Sequence, residues 1–88
     1  MILWDEKKQH KLRRERNISF DEIAALILKK DYLDILEHPV RPNQQIFAVL
    51  LNGYVHAVPF VIDEQGNIVL KTAFPSRKLH KKYMRVKP

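Results

Sequence analysis

Tyr54, His56, Lys71, Arg77, Lys78, His80 and Tyr83 are side chains that move protons or stabilise negative charge without a metal. One reaction class needs only such groups. RNA carries its own nucleophile, the 2′-hydroxyl. Cleaving it takes a base for that proton, cations for the pentavalent phosphorane and an acid for the leaving 5′-oxygen. Fixed Arg or Lys supplies the charge, and His or Tyr moves the protons. The same residues would also hold RNA without cutting it, because cations track phosphates and aromatic rings stack on bases. The residue types leave both outcomes open.

Other chemistries find less support. The 4 histidines, His10, His38, His56 and His80, form no H-x-x-x-H pair and have no carboxylate at ligand spacing, so no metal site is expected. Asp63 and Glu64 are neighbours in a turn and point different ways, which suits turn residues better than an acid/base pair. The 2 glycines are both needed for turns, so no Gly-rich loop is left to cradle a nucleotide, and no cofactor is expected. The chain contains 0 cysteines, which removes disulfides and thiolate nucleophiles together and fits a reducing cytosol.

Charge is distributed in blocks. Residues 1–16 hold six basic and three acidic side chains, residues 17–70 three and seven, and residues 71–88 seven and none. The net charge of +6 therefore comes from two positive ends around an acidic middle. Such segregation suits a phosphate-bearing partner, since neutralising phosphates releases counterions and steers association. With 88 residues the chain has room for one domain, spanning 1–88, and its 45% hydrophobic content is ordinary for a folded protein. No run approaches the roughly 20 apolar residues of a membrane span, and Met1–Glu6 lacks a basic stretch followed by an apolar core, so neither a signal peptide nor a membrane partner is expected.

The elements that must position these residues can be read from pattern. Ile2-Leu3-Trp4 reads as an edge strand, and Asp5 caps a polar helix reaching Arg16. Ser19 and Glu22 form an S-x-x-E capping box with Ile18 and Ile23 as its staple. Phe20, Ile23, Ala24 and Ile27 give that helix a core-facing stripe ending near Lys29-Lys30. Tyr32 to Glu37 reads as a strand closed by His38-Pro39. Gln45–Leu51 and Tyr54–Ile62 flank Asn52-Gly53, a hairpin signal that pairs Leu51 with Tyr54, Val49 with His56 and Phe47 with Val58. One ribbon face shows Ile46, Ala48, Leu50, Val55 and Ala57 and is expected to pack on the capped helix. The face bearing Tyr54 and His56 is expected to be the wetter one.

Pro59 cannot donate to a ladder, so a bulge or a one-sided edge is expected there. A four-residue turn after Ile62 would put Lys71 beside Val58, and a one-residue slip would send it to the other face. Ile68 to Phe74 reads as the last strand, and Ser76 caps a short basic helix. The fold class is α+β, an antiparallel sheet of about four to five strands with two N-terminal helices and a short C-terminal one.

Several short motifs resemble the BrnT family. They are Trp4-Asp5-Glu6-Lys7-Lys8, then Arg16-Asn17-Ile18-Ser19-Phe20-Asp21-Glu22, then an apolar strand leading to Ser76-Arg77-Lys78 and a basic helix with Tyr83. The Ile18–Glu22 segment is also similar to small domains of unassigned function related to that group. The BrnT resemblance implies a RelE-like fold and a cytoplasmic, mRNA-cleaving toxin of a type II toxin–antitoxin pair, with a cognate antitoxin as partner and RNA, free or on the ribosome, as substrate. It carries Arg77 over as an active-site residue, with Lys78 second. Two departures stand out. The family's Lys-His-Gly before the capping Ser is Glu15-Arg16-Asn17 here, so Arg16 replaces a His and stays charged near neutral pH. The family's Ser-Ala-Arg has become Pro75-Ser76-Arg77-Lys78.

The candidate catalytic residues are thus Arg77, Lys78, His56, Lys71 and Tyr83, and the candidate RNA-binding residues are Arg13, Arg14, Arg16, Tyr54, His80, Lys81, Lys82 and Arg85. Two further readings use the same basic surface: a non-catalytic RNA- or ribosome-binding module, and an interaction domain that docks an acidic partner.

Overall fold

A computed structural model describes residues 1–84. Along them run β1 (Ile2–Leu3), α1 (Glu6–Arg16), α2 (Phe20–Leu28), β2 (Asp34–Glu37), β3 (Gln45–Leu51), β4 (Tyr54–Ile62), β5 (Ile68–Leu70), β6 (Phe74–Pro75) and α3 (Arg77–Tyr83). The strands form a 6-stranded sheet in the order β1-β5-β4-β3-β2, with β6 beside β4. Strand β1 runs parallel to β5 and the other pairings are antiparallel, so the sheet is mixed rather than wholly antiparallel. The reason is the connection. Two helices and a meander separate β1 from β5, which is length enough for the crossover a parallel pair needs.

Asn52 and Gly53 both take positive φ, 52° and 76°, and the hairpin they close has the expected register: Leu51 faces Tyr54, Val49 faces His56 and Phe47 faces Val58. Helix α2 also begins where expected, although the Ser19 hydroxyl accepts the Asp21 amide rather than that of Glu22. Its C-terminus is closed by Lys30 at φ 57°, whose amide donates to the Ile27 carbonyl. Ile18 and Ile23 are buried together, as a staple requires.

The expected packing face is reversed. Helices α1 and α2 cover the face bearing Phe47, Val49, Leu51, Val58 and Phe60, which pack with Leu12, Ile18, Phe20, Ile23 and Ile27. His56 lies on that face, only 6% exposed, so the expectation of a wetter Tyr54–His56 face fails, although Ala48, Val55 and Ala57 on the other face are buried as well. Side-chain size accounts for the choice. Two helices stand off a sheet far enough to need large side chains between them, and tight packing favours the face that supplies Phe and Val. The Ala48–Ala57 cross-strand pair on the other face leaves room for a short helix to lie close. Helix α3 takes that place. Its Tyr83 hydroxyl reaches Asp34 of β2 at 2.6 Å, and its Leu79 shares a groove with Leu36, Ile46 and Ala57.

Pro59 organises the remaining edge. Phe60 of β4 faces Leu70 in β5, but Ala57 faces Phe74 in β6, so three steps along β4 oppose four along the partner. This is the bulge expected at Pro59. The Pro59 carbonyl still accepts the Lys71 amide at 2.9 Å, but Pro59 has no N–H to give back, and β5 stops at Leu70. The single strand expected over Ile68 to Phe74 is therefore split in two. The extra residue lets Ala73 return to the core while Lys71 and Phe74 are both exposed.

Candidate functional site

The bulge brings two basic segments together. Two adjoining clefts share Lys8, Thr72 and Phe74 as walls. The first, of about 310 Å³, is completed by Lys11, Leu12, Glu15 and Arg16 of α1 with Ala73 and Pro75. The second, also about 310 Å³, is completed by His38, Arg41, Gln44, Pro59 and Lys71. Among the described residues, no carboxylate lines the second cleft, so three cations and an imidazole meet there without a counter-charge.

Local structure explains each contribution. Lys8 and Lys11 lie one turn apart on α1, whose N-terminus is capped by the Asp5 carboxylate accepting the Lys7 amide at 2.8 Å. The opposite end of α1 closes at Asn17, φ 55°, and carries Arg13, Arg14 and Arg16 in its last turn. Arg41 is placed by the loop after β2. There the Val40 and Arg41 amides both donate to His38 Nδ1 at 3.1 Å, which leaves the neutral ring's proton on Nε2. Lys71 follows β5 on the side opposite Phe60. Ile62 pairs with Ile68, so the loop between them has five residues, 63–67, and the one-residue slip is the case realised. Asp63 ties that loop by accepting the Gln65 and Asn67 amides and the Asn67 side chain, chiefly the Asn67 amide holding its carboxyl below the ordinary range.

The acidic middle of the chain is used away from the clefts. Asp21 accepts the Gln9 side-chain amide at 3.2 Å, and Asp34 accepts the Tyr83 hydroxyl. That last bond lowers the Asp34 pKa, with help from the Ile35 amide and Lys82. Burial, then the hydrogen bond to Asp34, raise Tyr83 to about 12. A phenol held protonated that strongly is a poor proton carrier at neutral pH.

The sequence-based candidates are thereby sorted. Lys71 lies in the second cleft and Arg16 in the first. Arg77 and Lys78 are exposed on the first turn of α3, where Ser76 caps the helix through the Leu79 amide, and Lys78 lines the groove between α3 and β2. His56 is not with them: it is buried on the helix-covered face, its Nδ1 2.9 Å from the Tyr54 carbonyl. Tyr83 is occupied by Asp34. Tyr54 and His80 form a stacked pair, ring centroids 4.0 Å apart, while His80 Nδ1 accepts the Val55 amide at 3.1 Å. These two hold α3 against β4 rather than facing a cleft. Arg13, Arg14, Lys81 and Lys82 are exposed, and Arg85 falls outside the described residues.

Sequence reasoning missed Lys8, Lys11, His38, Arg41 and Phe74. A signal existed for the first two, since Lys8, Lys11 and Glu15 form an i, i+3, i+7 stripe on α1. Nothing in the sequence joined that stripe to residues 71–74. Among the described residues no three His, Asp or Glu side chains gather to hold a metal ion, and no helix is long and apolar enough to cross a membrane. No protein-family model, curated protein or solved structure matches this chain.

Proposed function

We propose that this chain binds and cleaves RNA as the toxin of a type II toxin–antitoxin pair, a metal-free endoribonuclease that uses the substrate's own 2′-hydroxyl. One observation carries the reading: Lys8, His38, Arg41 and Lys71 line one cleft, with no carboxylate among the described lining residues. Cations held on a rigid frame stabilise a phosphorane more than the phosphodiester it comes from, which is one condition for catalysis beyond binding, beside a base for the 2′-hydroxyl and an acid for the 5′-oxygen. The BrnT resemblance adds one departure to this reading, an arginine that stays charged near neutral pH and so supplies charge rather than a proton. Arg16, standing where that family has a histidine, lines the adjoining cleft with Lys8. A RelE-like identity of the fold, a cytoplasmic setting and a cognate antitoxin belong to the same proposal.

The test is single-turnover cleavage of a long RNA by purified protein in EDTA, with a binding measurement for each variant. Lys71→Ala should lower cleavage by about 100-fold, the scale on which a positioned charge-stabilising group acts, and should weaken binding far less. Arg77→Ala, carried over from the resemblance, should do the same if α3 contributes to the same centre. Wild-type protein that binds RNA but leaves it intact, both free and on translating ribosomes, would reject the nuclease. A second reading then stands, a non-catalytic RNA-binding module. It is favoured by the burial of His56 and the engagement of Tyr83, which remove two proton-moving groups from the surface.

A further inference from the structure

Phe74 is a large aromatic residue that remains 37% exposed, yet it is held on a firm frame. It pairs with Ala57 of β4 through β6, Pro75 follows it, and the Ser76 amide donates to the Val55 carbonyl at 3.0 Å. Phe74 lines both basic clefts and the groove beneath α3, whose walls also carry Glu15 in the first cleft and Glu37 in the groove. Cations from three directions therefore border it: Lys8 from α1, Arg41 and Lys71 from the second cleft, and Lys78 from α3. An aromatic side chain at a junction of clefts that each hold more cations than carboxylates matches the two needs of a single strand, a face for a base and charges for the phosphates on each side. A duplex keeps its bases stacked on one another and could offer the ring no free face.

From this arrangement we infer that Phe74 is the stacking platform for one nucleobase of single-stranded RNA, with the flanking phosphates on Lys71 and Lys8 to one side and Lys78 to the other. The inference deepens the RNA-directed reading above and rests on it. It also names what that reading leaves open, namely that the substrate enters as a single strand and is gripped by a base as well as by its backbone.

The experiment is equilibrium binding of short single-stranded RNA oligomers, an abasic ribose-phosphate oligomer of equal length and an RNA duplex, each over a salt series. Wild-type protein should prefer the strand with bases over the abasic one by about 5- to 150-fold, the range for one base on one aromatic ring. Phe74→Leu, which keeps apolar bulk but no π-face, should erase that preference while leaving the salt dependence of binding unchanged. Phe74→Trp should retain it. Lys71→Ala should behave in the opposite way, flattening the salt dependence and keeping the preference for bases. Equal wild-type affinity for base-bearing and abasic strands would overturn the stacking inference, as would a preference that survives in Phe74→Leu. Neither result would touch the RNA reading, which fails separately if no oligomer binds in a salt-dependent way. The abasic comparison on unaltered protein keeps the inference refutable even if the leucine variant folds poorly.

Discussion

Gln9 is the side chain whose loss the structure lets us cost most directly. It sits on α1, only 5% exposed, and its Oε1 accepts the Phe20 amide at 2.7 Å, the first N–H of α2, at a residue with no exposure. Its Nε2 donates to Asp21, so one side chain closes the N-terminus of the neighbouring helix. Gln9→Met keeps the length and the helix propensity and removes both polar atoms. The Phe20 N–H is then left buried without an acceptor, at a cost of about 1–3 kcal/mol. In a domain of this size each kcal/mol moves the thermal midpoint by roughly 4–8 °C, so a fall of roughly 4–24 °C is expected. Thermal unfolding followed by tryptophan fluorescence suits the question. Trp4 is the sole tryptophan, and its ring packs 5.8 Å from that of Phe20, at the junction being altered. Substitution of His10, exposed on the same helix, should change stability by less than about 0.5 kcal/mol. If Gln9→Met left the midpoint where His10→Ala leaves it, the buried-cap argument would be refuted. A loss of RNA affinity in stably folded Gln9→Met protein would equally show that Gln9 does more than join two helices.

The Tyr83–Asp34 bond predicts a pH window. Asp34 titrates below its ordinary 3.8, so its contribution is present above that value and is lost as pH falls through the lower folded one. Tyr83 is raised from 10.0 to about 12, so its contribution is present below 10.0 and is lost as pH rises toward 12. The midpoint difference between wild type and Tyr83→Phe should therefore be widest at neutral pH and shrink at both extremes; a difference independent of pH would contradict the bond. His56→Gln should lower stability and leave the pH dependence of any RNA cleavage as in wild type, because the ring is buried under the helices. A pH-dependent rate limb that vanishes in a His56 variant of normal stability would return His56 to the chemistry.

Local and near-local features of this protein were legible in its sequence. Asn52-Gly53 sets the hairpin register because few residue pairs accept two consecutive positive φ values. Ser19 with its flanking isoleucines starts α2, and Pro59 marks the bulge because proline lacks an amide hydrogen. The charge blocks announced a basic surface, but not its location. That was decided by tertiary structure. Both faces of the β3–β4 ribbon are apolar, so alternation could not say which one takes the helices, and the answer turned on side-chain volume across the gap. The site depended on a five-residue loop and one extra residue after Leu70, small displacements that turn Lys71 and Phe74 toward Lys8 and Arg41. Periodicity cannot register such a shift, because each segment looks the same on either side of it. The Tyr83–Asp34 and Gln9–Phe20 bonds join residues with no sequence relation at all, and only the chain's path through space makes them neighbours.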